Sequence, residues 1–435
     1  MMYIIIILIA AAFAYLAWKN LFQASLVMVA CLPLYVVRFS IGPVPSTLLE
    51  VLILILFFVW LLKKPRISVR QPFYKELILW LAIGLAAATI SGISFSTLGI
   101  WRAYFFEPAL AFIVFISVFN SKEKVLKAFA ALAYSAIAIS LIAIYQYITG
   151  EFISNPFWAN AATRRATSVF PYPNAVGLYL APIVILSFNA AWASLKNNKK
   201  YFYLFSAATL IGFIGIYCAK SDGAIFAVAI AGFISCLFIN KYTRIAALAA
   251  VIAVAVAMTQ TPIRNYIVDR ATLHDFSGEI RRLQWDETWK MIKDGRVITG
   301  AGLLGYQEAV KPYHQEGFFY NSERLSQNDF VKKVWNDEAY RKTHWQPLEI
   351  YLYPHNIVWN FWSELGIIGL LLFIFIIIRY YYSGITKYLK TRDPIIIGLL
   401  AAMLAILIHG IVDVPYFKND LAIMFWLLVA LVSIL

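Results

Sequence analysis

The stretch Tyr353-Pro354-His355-Asn356 is followed, after nine residues, by Gly366-Ile367-Ile368-Gly369, where a long polar segment returns to apolar sequence. The apolar run that begins here extends to about residue 378, close to the ~20 residues that a helix needs to cross a bilayer. An imidazole therefore lies at the edge of a predicted membrane span. Ionisable groups are costly in that position unless they have a function, so His355 is the first candidate for a functional residue.

The composition of the whole chain excludes a soluble globular protein. Hydrophobic residues make up 62% of the 435 residues, charged residues only 14%, and the mean hydropathy is +0.73. Soluble domains contain about 25% charged residues. Apolar runs of membrane length recur along the chain and predict an all-α polytopic membrane protein with twelve or thirteen transmembrane helices. The runs cover residues 3–18, 21–39, 47–62, 76–92, 103–119, 128–148, 173–194, 202–218, 223–239, 245–260, 356–378, 394–412 and 421–435.

The net charge of +14 follows the predicted topology and does not indicate a nucleic-acid partner. Alternate short connections contain 18 basic residues against three acidic ones, while the segment from about 260 to 354 balances 13 basic against 13 acidic residues. Basic residues collect on the cytoplasmic side of membrane proteins, so the long segment is predicted to lie outside the cytoplasmic membrane. The basic residues of the cytoplasmic set are Lys19, Lys63, Lys64, Arg66, Arg70, Lys75, Lys122, Lys124, Lys127, Lys196, Lys199, Lys200, Lys241, Arg244, Arg379, Lys387, Lys390 and Arg392.

This topology divides the chain into three parts. Residues 1–260 are predicted to form a bundle of ten transmembrane helices, residues 261–354 one large external, mostly helical loop, and residues 355–435 the last three transmembrane helices. Dense aromatic side chains between 306 and 349 fit either a membrane interface or a sugar-binding groove. Both interpretations stay open at the level of the sequence.

Within the external loop, residues 277–292 have the periodicity of an amphipathic helix. Arg281, Trp285 and Trp289 share one face at i, i+4 spacing, whereas Arg282 is expected to face Asp286 one turn on. Arg281 is therefore the better functional candidate of the two arginines.

Basic residues in the other outer loops are candidates for binding an anion. Arg164, Arg165 and Lys220 lie there, and a planar guanidinium can bind phosphate oxygens through two parallel hydrogen bonds. As a group they could hold a lipid-linked diphosphate, while contact with lipid headgroups is the alternative. No acidic cluster with the spacing of a Mg²⁺ site accompanies them in the sequence, so neither a metal nor another cofactor is predicted. Residues 300–305 match the pattern GxGxxG, but they follow a helix in an external segment and do not indicate a dinucleotide.

The five histidines differ in their expected roles. His355 could act as a general base, because a neutral imidazole suits proton removal at neutral pH, or its ring could be satisfied by a neighbour at the interface. His409 precedes the turn that contains Asp413, and a hydrogen bond at the helix end is its simpler interpretation. Asp413 could orient an arginine or a sugar hydroxyl. The remaining three, His274, His314 and His344, are predicted to be exposed.

The element from His355-Asn356 to Gly366-Ile367-Ile368-Gly369 resembles the signature of the O-antigen ligase superfamily, the membrane glycan transferases of the WaaL and Wzy type. Three further stretches resemble this family in the same order, and they cover residues 165–174, 281–302 and 409–413. One position departs from the pattern. Members often show Ser-Arg at the outer start of the helix that begins near residue 223, where this chain has Ser221-Asp222 after Lys220. The role of that arginine does not carry over, and Lys220 is the candidate substitute.

The resemblance implies an architecture like that of the GT-C glycosyltransferases and a role in the cell envelope. The implied reaction transfers a glycan from undecaprenyl diphosphate to an acceptor hydroxyl at the outer face of the inner membrane, without a metal and with inversion of the anomeric centre. His355 would be the catalytic base, Arg165 and Arg281 would stabilise the leaving diphosphate, and Asn356 would orient the ring or the acceptor. Arg164, Arg282, Lys220 and Asp413 are the further candidates for substrate binding.

Ligation of a finished O-antigen to lipid A-core, a step of lipopolysaccharide biosynthesis, is the favoured reaction. A polymerase of lipid-linked repeat units and an oligosaccharyltransferase acting on protein Ser or Thr hydroxyls are the alternatives. A lipid or polysaccharide transporter is the alternative that is not an enzyme. A transporter would be expected to have polar residues along a path through the bundle, whereas the charges here gather at the outer rim.

Overall fold

The computed structural model describes residues 2–64 and 72–435, so Arg66 and Arg70 of the predicted cytoplasmic set lie outside the described residues. The first ten helices are α1 (Met2–Lys19), α2 (Leu21–Ala30), α3 (Leu48–Leu62), α4 (Tyr74–Ile90), α5 (Phe95–Trp101), α6 (Glu107–Val118), α7 (Lys122–Thr149), α8 (Pro156–Ala159), α9 (Pro173–Ser194) and α10 (Lys199–Ala219). The next ten are α11 (Asp222–Ile239), α12 (Lys241–Ala257), α13 (Thr261–Ala271), α14 (Phe276–Lys293), α15 (Tyr306–Val310), α16 (Gln327–Asn336), α17 (Glu338–His344), α18 (Ile357–Thr391), α19 (Pro394–His409) and α20 (Asn419–Ile434).

Strands are few and short. In the described chain β1 (Arg38–Ile41) pairs with β2 (Val44–Thr47), and β3 (Gly317–Phe319) pairs with β4 (Trp345–Pro347), both antiparallel. A π-helix at Arg102–Phe106 joins α5 to α6, and short 3-10 helices cover Leu32–Val36 and Lys311–Tyr313. The second strand pair lies in the long segment between α12 and α18, where the sequence predicted only helices and loops.

The predicted class, an all-α polytopic membrane protein, is confirmed. Among the described residues seven helical stretches are long and apolar enough to cross a membrane, and α12 followed by the sharply bent α13–α14 region is an eighth candidate. The seven are α1, α5–α6, α7, α9, α10, α11 and α18. Every predicted apolar run contains a helix, although α2, α3, α4, α19 and α20 have only 10–17 residues each. The run 21–39, for example, leaves the α-helical conformation after Ala30, because Pro33 has no amide hydrogen for a helix interior.

Helix α9 is the centre of the bundle and brings three helix ends together. Nearly all its side chains are buried, and it packs against α10, α11 and α19. Gly177 permits the closest approach, since a Cβ there would lie 2.3 Å from Oγ of Ser221, just before α11. The loop that leads into α9, the start of α11 and the end of α19 therefore meet on one side of the bundle.

The turn between α19 and α20 is fixed by a buried tyrosine. The hydroxyl of Tyr416 accepts hydrogen bonds from the indole nitrogens of Trp80 (2.7 Å) and Trp426 (3.2 Å), and it donates to the carbonyl of Tyr104 (2.8 Å). Buried hydroxyls need such partners to offset desolvation, and here the partners come from three other helical segments. The turn that carries Asp413 is thereby held against the core.

The glycines of the 366–369 motif have a local explanation. Gly366 interrupts α18 with φ +69°, and a Cβ at this position would lie 1.8 Å from the carbonyl oxygen of Ile298. The break frees the amide of Ile367 to donate to Val297, and Ser363 accepts from Ala301 at 2.6 Å. Gly366 therefore serves to dock the loop after α14 onto α18, and its contact is with a loop and not with a second membrane helix.

The predicted amphipathic helix over 277–292 is observed as α14. Its aromatic face packs on the start of α18, where the ring of Trp289 lies 5.8 Å from Trp359 and 5.7 Å from Trp362. Together with the docking at Gly366, this contact fixes α14 to α18, the membrane helix that follows His355.

Candidate active site

A cavity of about 340 Å³ lies where the ends of α9, α11, α13, α14 and α19 converge. Four basic and three acidic side chains contribute to its wall, so the cavity has an excess of positive charge when its histidine is neutral. Its charged and titratable lining residues are Arg165, Lys220, Asp222, Arg270, Asp275, Arg281, His409 and Asp413. Phe226, Ile230 and Ile408 add an apolar side. Such a mixture suits an anionic headgroup attached to a hydrophobic chain.

The loop that carries Arg165 is held by a single buried amide. Gln146 of α7 accepts hydrogen bonds from the backbone nitrogens of Thr167 (3.0 Å) and Ser168 (2.7 Å), and it donates to the carbonyl of Ser168 (2.9 Å). The amide of Ala166 donates to Cys218 at 3.0 Å. These bonds satisfy the irregular backbone before α9 and fix the direction in which the loop enters the helix.

Arg165 is anchored to two elements before any ligand arrives. Its Nε donates to the carbonyl of Ala219 (3.0 Å), and one terminal nitrogen, Nη2, donates to the carbonyl of Lys220 (3.0 Å) and to Oδ1 of Asn174 (2.7 Å). The amide nitrogen of Asn174 in turn donates to Asp413 at 3.2 Å. Arg165, Asn174 and Asp413 thus form a chain across the cavity, which leaves Nη1 of the arginine available to bind a ligand.

Arg281 reaches the same cavity from α14. Its Nε donates to the carbonyl of Val412 at 2.8 Å, next to Asp413. One turn further along α14, the indole of Trp285 donates to the carbonyl of Pro354 at 2.8 Å. The predicted functional face of α14 therefore contacts both the 412–413 turn and the residue before His355.

His355 lies in a strained and partly buried position. Its backbone has φ +47°, its ring lies edge-on to Tyr351, and Nδ1 is 3.2 Å from Oε1 of Gln284. An amide oxygen can only accept, so the proton lies on Nδ1 and the lone pair on Nε2. Burial lowers the pKa of His355 below its usual value, opposed by Asp413 and assisted by Arg281. The imidazole is therefore neutral at pH 7, as a general base must be.

His355 stands beside the cavity and not in its wall. Within the described chain His355 is not among the residues that line the cavity. Its partner Gln284 lies one turn of α14 from Arg281, which does line the cavity. Because the charges of Asp413 and Arg281 both act on its pKa, the ring lies within electrostatic reach of the cavity. The structure thus groups Arg165, Arg281 and Asp413 in one cavity and sets His355 next to them.

Asn356 has a structural role that the sequence did not suggest. Its Oδ1 accepts from the backbone nitrogens of Val358 (2.9 Å) and Trp359 (3.1 Å), which makes it the N-cap of α18. Its Nδ2 donates to the carbonyl of Ile411 at 2.9 Å. Both ends of the side chain bond to backbone groups, and a role of Asn356 in orienting the imidazole or an acceptor stays a prediction.

Two of the predicted basic residues serve the local structure. Arg164 donates to the carbonyls of Ala159 (3.2 Å) and Ile148 (3.0 Å) and so ties its loop to the end of α7. Arg282 pairs with Glu279 at 3.1 Å, one turn back. The expected pair with Asp286 is wrong, because Asp286 is bound to Lys290 at 2.6 Å. Neither arginine is among the residues found in the cavity wall.

Lys220 lines the cavity in an unusual conformation. Its backbone has φ +47° at the end of α10, its ammonium lies 5.9 Å from the ring centre of Tyr147, and its carbonyl accepts from Arg165. The residue therefore contributes both a charge to the cavity and an anchor for the arginine.

The environments of the other four histidines differ in part from those predicted. His274 is exposed as expected, whereas His314 contacts Glu287 and the carbonyl of Leu348, and His344 stacks on Tyr340. His409 is buried in the cavity wall, and within the described residues its Nδ1 has no hydrogen-bond partner. The hydrogen bond expected for it at the helix end is therefore not present.

Sequence reasoning missed several residues that build the site. Gln284 lies one helical turn from Arg281, and that spacing was the available signal. Gln146 and Arg270 come from distant parts of the chain, so nothing in the sequence pattern indicated them. Among the residues that the structure describes, no group of three or more His, Cys, Asp or Glu side chains is arranged to hold a metal ion.

The chain matches a known protein family over part of its length. The family model described as O-Antigen ligase matches residues 207–374, which include α11 to the middle of α18 with Arg281, His355 and Gly366. This match confirms the predicted resemblance to the O-antigen ligase superfamily. The match supports a membrane protein that handles glycans, of ligase or polymerase type. No curated protein matches the chain.

Proposed function

We propose that the protein transfers a glycan from undecaprenyl diphosphate to an acceptor hydroxyl at the outer face of the inner membrane, with O-antigen ligation to lipid A-core as the reaction. The observation that carries this proposal is the convergence of Arg165 and Arg281 on one cavity beside the neutral imidazole of His355. The proposed organisation has residues 1–260 as the first part of the bundle, 261–354 as the outer loop and 355–435 as the last membrane helices.

The donor diphosphate binds between Arg165 and Arg281. Each arginine is already oriented by a bond from its Nε to a backbone carbonyl. The two terminal nitrogens of Arg281 can form two parallel hydrogen bonds with phosphate oxygens, while Arg165 contributes its Nη1. The polyprenyl chain leaves the cavity along the apolar side made by Phe226, Ile230 and Ile408. Ile230 is 43% exposed on the outside of the bundle, so the chain can continue into lipid.

The chemical step is a direct displacement at the anomeric carbon. The acceptor oxygen forms a bond to this carbon as the bond to the diphosphate oxygen breaks, and the acceptor proton moves to Nε2 of His355. The electron pair of the broken bond stays on the diphosphate, where Arg165 and Arg281 stabilise the added negative charge. Attack from the face opposite the leaving group inverts the anomeric configuration.

The proton acceptor is oriented by a second contact. Gln284 holds Nδ1 of His355, which selects the tautomer whose lone pair is on Nε2. Gln284 and Arg281 both lie on α14. A movement of this helix therefore shifts both the hydrogen-bond partner of His355 and the arginine that binds the phosphate.

The alternative functions differ from O-antigen ligation in the acceptor that receives the glycan. Polymerisation of lipid-linked repeat units and transfer to a protein hydroxyl use the same donor and the same base. The test is reconstitution of the purified protein in lipid vesicles with an undecaprenyl diphosphate-linked glycan and lipid A-core, repeat-unit donor or acceptor protein in turn. A single mass step on lipid A-core supports ligation, whereas a ladder of donor-linked products would replace it with a polymerase.

The His355→Ala variant separates an enzyme from a transporter. Loss of the base is expected to lower transfer by about 10²–10⁴-fold, while a pure transporter would move lipid-linked glycan at an unchanged rate. The exposed His274 supplies the control, because His274→Ala should retain full transfer.

A further inference from the structure

Arg270 contributes a third guanidinium to the cavity, from a helix for which the sequence offered no functional signal. It lies at the end of α13, and its Nη1 is 2.6 Å from a carboxylate oxygen of Asp222 and 3.1 Å from one of Asp275. All three residues line the cavity that contains Arg165 and Arg281. Arg270 thus reaches the proposed diphosphate site from the side of α11.

The two carboxylates engage only one edge of the guanidinium. Both ion pairs are made by Nη1, while Nε is buried and has no hydrogen-bond partner in the described part of the chain. A buried N–H without a partner is destabilising, and the edge formed by Nε and Nη2 is one that binds phosphate in a bidentate manner. Tyr266 helps to hold the side chain of Arg270, because its ring centre lies 4.6 Å from the guanidinium carbon. The hydroxyl of Tyr266 also donates to Asp222 at 3.1 Å.

The charges of the cavity act on one another. Burial lowers the pKa of the Arg165 guanidinium, Asp222 and Asp413 raise it, and Arg281 and Arg270 lower it further. Arg270 and Asp222 are therefore within electrostatic reach of Arg165. Each phosphate of a diphosphate diester carries a negative charge, so a cavity that binds both groups gains from cations on two sides.

We propose that Arg270 is a direct ligand of the donor diphosphate and that Asp222 is the positioning residue that holds its guanidinium toward the cavity. This inference rests on the proposed function, since it assigns a ligand to the same donor. The competing explanation is structural, because the ion pair with Asp222 also joins α13 to the first residue of α11.

Arg324 supplies a matched control for that explanation. It pairs with Asp269, the residue before Arg270, and so also ties α13 to its surroundings, but it is 54% exposed and does not belong to the cavity wall described here. If anchoring of α13 is all that matters, Arg324→Ala and Arg270→Ala should have similar effects.

The test measures binding of undecaprenyl diphosphate and undecaprenyl monophosphate to the purified full chain in lipid nanodiscs. We expect Arg270→Ala to weaken diphosphate binding by about tenfold or more and monophosphate binding much less, because a charge-assisted bidentate contact is lost from only one phosphate. Arg324→Ala should leave both affinities within about twofold of the wild type. Equal losses in the two variants, or an unchanged ratio of the two affinities in Arg270→Ala, would overturn the proposal.

A rescue variant separates ligand binding from helix anchoring. Position 222 lines the cavity and lies within ion-pair distance of Arg270, so Asp222→Arg combined with Arg270→Ala returns a guanidinium to the same volume without restoring the original pair. Recovered preference for the diphosphate supports the ligand role. A double variant with the thermal stability of the wild type but no recovery contradicts it.

The conservative change keeps the proposal testable if the double variant does not fold. Arg270→Lys retains the charge and can still pair with Asp222, but it lacks the fork, so its preference for the diphosphate should fall between those of wild type and Arg270→Ala. A wild-type preference in Arg270→Lys would contradict bidentate binding. If the wild type itself does not bind undecaprenyl diphosphate, the proposed function fails, and that result differs from failure of Arg270 alone.

Discussion

The loop before α9 and the helix α14 each carry two consecutive arginines, and in both regions only one of the two lines the cavity. In the loop, Arg164 donates a hydrogen bond to a backbone carbonyl at the end of α7, while Arg165 lines the cavity. In α14, Arg282 pairs with Glu279, while Arg281 reaches Val412. Consecutive residues on a helix point about 100° apart, so a helix separates the roles by its period. A loop separates them only through its tertiary contacts.

The largest contrast is expected between the two loop arginines. Arg165→Ala removes the guanidinium proposed to stabilise the leaving diphosphate, and the rate of glycan transfer should fall by about 10²–10³-fold. Arg164→Ala removes bonds to backbone carbonyls, so it should lower thermal stability and leave transfer per folded molecule within about threefold. Glycan transfer in vesicles, normalised to folded protein, measures both. Equal losses of transfer in the two variants would remove the distinction.

The arginines of α14 provide a second matched pair. Arg281→Ala should weaken transfer by about tenfold or more, because it removes a cation from the cavity and a bond to the 412–413 turn. Arg282→Ala breaks a solvent-exposed pair with Glu279 and should change stability by no more than about 0.5 kcal/mol. Transfer assays and thermal unfolding of the two variants provide the comparison. A strong loss of transfer in Arg282→Ala would contradict the assignment of the cavity face.

A smaller change tests the geometry of the charge. Arg165→Lys retains a cation but cannot reproduce the bonds that Nε and Nη2 make to Ala219, Lys220 and Asn174. The rate of transfer should drop by about tenfold, mainly because the diphosphate of the glycan donor is no longer held in line for the displacement. The Michaelis constant for the donor and the turnover number separate alignment from simple attraction, and wild-type values of both would exclude a role for the fork.

The pH dependence of transfer reports on His355. The base works only when neutral, and burial lowers its pKa below 6.5. Transfer should therefore fall as the pH drops through the lowered pKa, with a midpoint below 6.5. The residual activity of His355→Ala should lack this inflection. A midpoint above 6.5 in the wild type would contradict the lowering of this pKa by burial.

Much of the architecture could be predicted from the sequence, because its signals are local. Apolar run length gave the membrane helices, and the i, i+4 spacing of Arg281 and Trp285 gave the contact face of α14. The lengths of single helices could not be predicted in this way, since a hydrophobic run such as 21–39 does not reveal where Pro33 ends the α-helix.

The parts of the site that could not be predicted depend on contacts between distant segments. Gln146 fixes the Arg165 loop from α7, and Arg270 meets Asp222 across a helix pair. The capping role of Asn356 was missed for a similar reason, because its partner at Ile411 is 55 residues away in sequence. A polar side chain next to a candidate base has the same sequence signature whether it binds substrate or caps a helix.

The central claim is that the arginines of the cavity bind the donor and that His355 acts only in the chemical step. The most direct measurement compares donor binding and single-turnover transfer in wild type, His355→Ala and Arg165→Ala with an undecaprenyl diphosphate-linked glycan. We predict that His355→Ala binds the donor as tightly as the wild type but transfers it at least about 10²-fold more slowly, while Arg165→Ala loses binding as well. A His355→Ala variant that transfers glycan at the wild-type rate would contradict the account.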